Sequence, residues 1–227
     1  RAEWIRHGIT FDLGGAWREW RALGAFSVPT FLIQASIVPV PWIINVLIAN
    51  QVDGYAQLGL LSAATQWQGA VLALAGVAGA ALVPVMAERI QAQGIGVGLR
   101  IMWQMTRALG VAGAVIGGVF CAASPWIARA YGAGFEGAAW TITAFAATGA
   151  LGALMLPMSR LLVAAGRVWW ALGAHVGWLV TVLLATWLFL DQGAFGVGLA
   201  RLLAEGVYLA LHLLLVARLA RRGAAIA

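Results

Sequence analysis

Six apolar stretches account for most of the chain, at residues 26–49, 58–87, 108–127, 137–158, 168–190 and 195–216. A helix needs about 20 residues to cross a hydrocarbon core of about 30 Å, and each stretch supplies them. None alternates polar and apolar residues with a period of two, as a lipid-facing strand would. Composition agrees: 63% of the residues are hydrophobic and 10% charged, against about 25% charged in an ordinary soluble domain. A chain so poor in charge cannot wet a surface of its own size, so its main solvent is lipid. The expected fold is an all-α integral membrane bundle of six transmembrane helices over 25–227, preceded by a cytoplasmic linker over 1–24 that carries an amphipathic interfacial helix.

The basic residues, all arginine, orient these spans. With the N-terminus inside, one side holds Arg1, Arg6, Arg18, Arg21, Arg89, Arg100, Arg107, Arg160, Arg167, Arg218, Arg221 and Arg222. The other side holds only Arg129, in loops that also carry Asp53, Glu136 and Asp191. Positive residues stay with the cytoplasmic loops, so both termini are expected in the cytoplasm. A net charge of +6 and a pI near 11.0 do not point to nucleic acid, because the arginines sit at the ends of apolar runs and form no stripe. Cys121 lies in an apolar run without a partner and reads as a small buried hydrophobe.

Before the first span, Trp17, Trp20 and Leu23 recur at spacings of three beside Arg18, Glu19 and Arg21. That pattern suits a helix lying flat at the headgroups; an ordinary linker is the plainer alternative. The outer loops are short, the longest about 13 residues around Ser124 to Glu136, so any binding must occur among the helices or at their mouths.

Several polar residues lie at membrane depth. Pro29, Pro39 and Pro41 interrupt the first span. Each interior proline removes an N–H and collides with the carbonyl four residues back, so Pro39 and Pro41 should free the carbonyls of Ala35 and Ile37. Gln34 and Asn45 flank that break, which either borders a polar cavity or only satisfies packing. Thr65, Gln66, Trp67 and Gln68 fall about 15 Å into the second span at 1.5 Å per residue. Gln66 and Gln68 either line a wet cavity or bond neighbouring helices. Arg201 and Glu205, four apart in the last span, share one helix face at pairing distance, with Arg201 able to snorkel outward. The pair is either functional or self-neutralising. His175 and His212 read as packing or interface residues. Gly113 and Gly117, and Gly149 and Gly152, point to closely packed helices.

No nucleotide-binding loop, metal-ligand spacing or nucleophile motif occurs, and eight acidic residues in all leave little to hold an ion. Neither an enzymatic activity nor a cofactor is expected.

The stretch 59–88, GLLSAATQWQGAVLALAGVAGAALVPVMAE, resembles the second helix of the C-terminal half of O-antigen and polysaccharide flippases. These belong to the multidrug/oligosaccharidyl-lipid/polysaccharide exporter superfamily. Similar cues follow in order: Ser124-Pro125-Trp126 and Tyr131-Gly132 ahead of Phe135, then Ala165-Gly166-Arg167, then Gly193-Ala194-Phe195-Gly196. One departure is that the family often has a proline mid-way along the second helix, where this chain has Leu74 and Ala75. The resemblance implies two six-helix bundles around a cavity that opens alternately to each face, with this chain as the second bundle. The implied activity is translocation of a polyprenyl-pyrophosphate-linked oligosaccharide for polysaccharide or lipopolysaccharide assembly. The implied partners are that lipid-linked oligosaccharide, membrane lipids, and an N-terminal bundle or a second copy. Gln34, Asn45, Gln66 and Gln68 would then meet sugar hydroxyls, and Arg201, beside Glu205, the pyrophosphate. Alternatives are a cation-coupled multidrug exporter of the same superfamily, with Glu205 as its acidic group, and a non-transporting membrane protein of glycan assembly.

Overall fold

The computed structural model describes residues 20, 23–135 and 137–224. The described residues are 93% helical and contain no strand. A π-helical turn, Leu23–Ser27, leads into α1 (Val28–Ala35) and α2 (Pro39–Ala49). Then come α3 (Gly54–Gln93), α4 (Ile95–Tyr131), α5 (Ala138–Ala164), α6 (Val168–Leu188) and α7 (Gly193–Ala224). Five helical segments are long and apolar enough to cross a membrane, with the α1–α2 segment counted as one. The bent helix α3 makes a sixth when its two halves are taken as one span. The chain is thus a multi-pass all-α membrane bundle. The expected interfacial helix lies outside the described residues, apart from Trp20 and Leu23.

Helix α5 is the centre of the bundle, packed against α3, α4 and α7. Its sequence is apolar on all sides, which suits a helix enclosed by others, and half of its residues are buried. Small residues permit that enclosure. A Cβ at Gly113 would come within 2.9 Å of Ala153 Cβ, and one at Gly117 within 3.1 Å of Ala150 Cβ, so α4 lies directly on α5. On an adjacent face of α5, a Cβ at Gly149 would meet Val71 Cβ of α3 at 3.0 Å. The glycine pairs noted in the sequence are therefore helix contacts. Ser124 and Thr143 add a hydroxyl–hydroxyl bond of 2.9 Å between α4 and α5.

Two apolar layers fill the interior. One joins Ile44 and Ile48 of α2 to Leu61, Ile142, Phe145, Val182 and Val197. The other joins Leu82, Met86, Met102, Met158, Leu161 and Leu162 to Val216. Along α3, Gln68 falls between the residues of the two layers, and along α7 so do Glu205, Tyr208 and His212.

The first span breaks where the prolines require it: Ser36–Val38 form a turn between α1 and α2, with Pro39 in the first turn of α2. Helix α3 bends by 45° between Ala73 and Ala75, at Leu74, where the chain has no proline. Gly76 and Gly79 follow the bend at once, and glycine tolerates backbone conformations that other residues resist. Past it, Gly79 lies tight against Leu156 of α5. The α5–α6 connection is a Schellman turn: Gly166 has φ +69°, its N–H donates to Val163 O at 3.0 Å, and that of Arg167 to Leu162 O at 2.8 Å.

Candidate functional site

The six residues singled out in the sequence fall into three places. Gln68 and Arg201 form the first. Arg201 donates from Nη1 to Gln68 Oε1 at 3.3 Å, and its guanidinium carbon lies 5.4 Å from the centre of the Phe145 ring. The side chain turns inward to α3 and α5 and does not snorkel to the headgroups. Its Nε is buried without a partner. Trp67 of the same α3 turn stands edge-on to Phe120 of α4, ring centres 4.9 Å apart.

Glu205 and Gln34 belong to the second place, a cavity of about 570 Å³ between α1 and the bundle. Its polar lining is Thr30 and Gln34 of α1, Ser159 and Arg160 of α5, and Glu205 and Tyr208 of α7. Glu205 does not pair with Arg201, although the i, i+4 spacing permits it. Its Oε1 accepts a hydrogen bond from Trp178 Nε1 at 3.2 Å, and each charge thereby takes a neutral partner from another helix. Trp178 stacks on His175 at 5.5 Å between ring centres. His175 Nε2 is in turn 2.7 Å from Ser36 Oγ in the α1–α2 break. A run of contacts, hydrogen bond, ring stack and hydrogen bond, thus leads from the broken helix through α6 to the carboxylate in the cavity. His212 is fully buried, with Nδ1 3.0 Å from Tyr208 O.

The third place is the outer surface. Asn45 and Gln66 are exposed, and so is Gln34, although it also lines the cavity. Gln66 belongs to an α3 stripe of Ser62, Gln66, Gly69, Ala70 and Ala73, all exposed. Compare the exposed face of α6, which is Val176, Val180, Leu184, Trp187 and Leu188. Bulky aliphatic side chains suit lipid tails. An amide among small residues at that depth does not, since unpaired polar groups in hydrocarbon cost several kcal/mol, about 2–7 each.

Sequence reasoning missed Ser159, Arg160, Trp178 and Tyr208. Two signals were present: Trp178 lies one helical turn beyond His175, and Tyr208 three residues after Glu205. Arg160 was read only as a cytoplasmic anchor. Among the described residues no cluster of His, Cys, Asp and Glu is suited to holding a metal ion. No protein-family model matches the chain, and neither curated proteins nor solved structures give a significant match.

Proposed function

We propose that the chain is one bundle of a flippase that moves a polyprenyl-pyrophosphate-linked oligosaccharide across a bacterial inner membrane by alternating access, with both termini cytoplasmic. The observation that carries this reading is the set of polar side chains lining the cavity beside α1, together with the uncovered amides Asn45 and Gln66 on the outer surface. Such a surface needs a second wall, supplied by a preceding bundle or a second copy. Sugar hydroxyls would bond Gln34, Ser159 and Tyr208. Arg160, the only cation lining the described cavity, suits the pyrophosphate, because a guanidinium offers parallel N–H donors to phosphate oxygens. Arg201 is already engaged by Gln68 and Phe145 and positions α7 against α3 and α5. The resemblance of 59–88 to polysaccharide flippases supports the same substrate class.

Reconstitution tests the proposal. Vesicles containing the chain together with the bundle that completes it should translocate a fluorescent polyprenyl-pyrophosphate oligosaccharide faster than protein-free vesicles; transport by the chain alone would identify the second wall as a second copy. Absence of translocation by the two-bundle assembly would overturn the reading.

A second reading draws on Glu205 in the cavity: a cation-coupled drug exporter would use that carboxylate as its coupling group. In that case Glu205→Gln abolishes drug efflux, whereas in a flippase it leaves Trp178 an acceptor and transport largely intact.

A further inference from the structure

A second concavity, of about 690 Å³, lies between the start of α6 and the end of α7. It is lined by Trp169 and Trp170 with Arg218, Arg221 and Arg222, and, further along the two helices, by Gly173 and Ala174 of α6 and Leu211 and Leu215 of α7. Arg222 and Arg167 each place a guanidinium carbon over the Trp170 ring, at 5.2 and 5.4 Å. Three arginines thus converge on the groove, with a fourth beside it, and no acidic side chain lines it. Like charges gathered on one groove repel one another, and an anion in the groove would relieve that repulsion.

We propose that this groove binds an anionic phospholipid of the resident membrane. The layout selects a lipid over free phosphate. Leu211 lies about 10 Å along the helix from Arg218 at 1.5 Å per residue, so phosphate-binding groups and an apolar slot follow one another as headgroup and acyl chain do. Gly173, with no side chain, opens the slot, and no atom lies within 4 Å of where its Cβ would be. Tryptophan pairs mark the headgroup level of a membrane, and basic pockets between transmembrane helices suit multiply charged headgroups. This site is separate from the cavity beside α1 and does not depend on what that cavity carries.

Native mass spectrometry of the whole purified protein, titrated with diphosphatidylglycerol or with phosphatidylcholine, provides the test. The protein should retain diphosphatidylglycerol and not phosphatidylcholine. Each arginine removed should weaken retention about fivefold, since one basic side chain near an anionic surface contributes a factor of that order. The variant R218Q/R221Q/R222Q should therefore lose it, and R218K/R221K/R222K should keep much of it. A control that removes the same charge elsewhere, R89Q/R100Q/R107Q, should bind as the parent does. Matched thermal melting of the variants separates loss of binding from loss of fold. Equal retention by the R218Q/R221Q/R222Q variant, or equal loss in the control, would overturn the proposal. So would displacement of diphosphatidylglycerol by equimolar polyprenyl pyrophosphate, which would make the groove part of the transport path.

Discussion

Arg201 and Gln68 meet across α7 and α3, and their bond makes a specific demand on single substitutions. Arg201→Leu leaves Gln68 Oε1 buried without a donor, and a stranded acceptor costs about 1–3 kcal/mol. Gln68→Leu does the same to the guanidinium. The double variant removes both needs, so a thermodynamic cycle in detergent should show a coupling of about 0.5–3 kcal/mol. A coupling near zero would mean that the hydrogen bond does not form. Arg160 makes a different demand. It lines the cavity and serves no described hydrogen bond or stacking contact, so Arg160→Gln should leave melting nearly unchanged while strongly reducing surface polysaccharide in a complementation assay at matched expression. Arg160→Lys should retain part of the display, as a point charge without the guanidinium fork. Normal display by Arg160→Gln would remove it from the substrate path. The residue scale was only half legible in the sequence. Spacing put Arg201 and Glu205 on one face, but the partners chosen, Gln68 and Trp178, lie 133 and 27 residues away along the chain. Helical periodicity carries no information about contacts at such separations.

At the scale of elements, α4, α5 and α3 are held by backbone approach as much as by side chains. Lipid tails are as apolar as leucine, so helices in a membrane associate through close packing. Gly117 sits 3.2 Å, measured from an added Cβ, from the Ala146 carbonyl oxygen, and Gly117→Ile should force α4 off α5. Overpacking of this kind costs about 1–3 kcal/mol and should appear as a lowered melting temperature, whereas Gly118→Ile, facing open space, should have little effect. Equal effects at the two positions would contradict the packing described. The elements themselves were the most legible part of the sequence, because span length and apolar content are set locally by the thickness of the bilayer. The break in the first span was legible for a similar reason: proline acts on its own backbone. The bend in α3 was not, since glycine permits a kink without requiring one, and the contact of Gly79 with Leu156 depends on how α5 lies. Neither Ser159 nor Tyr208 could be placed in a cavity from sequence, because what makes them polar lining is the position of α1 beside them.

For the whole molecule, the alternation of arginines along the chain makes a topology that reporters can read. Fusions after Arg89, Arg160 and Arg222 should report cytoplasm, and those at Asp53, Glu136 and Asp191 the outside. An external signal after Arg160 would break the six-span arrangement. If the chain transports as proposed, one face of the bundle is wet at membrane depth, which a scaffold packed in lipid would not require. Cysteine accessibility reads this directly. With Cys121 replaced by alanine, single cysteines at Gln34, Asn45 and Gln66 are compared with others at Val180 and Leu184, in membranes holding the whole protein, using a small charged thiol reagent. Modification is expected at the three amide positions at rates approaching that of a loop cysteine at Asp53, and none at the two aliphatic positions. Silence at all three amide positions, with reaction only to a lipid-soluble reagent, would contradict a wet face.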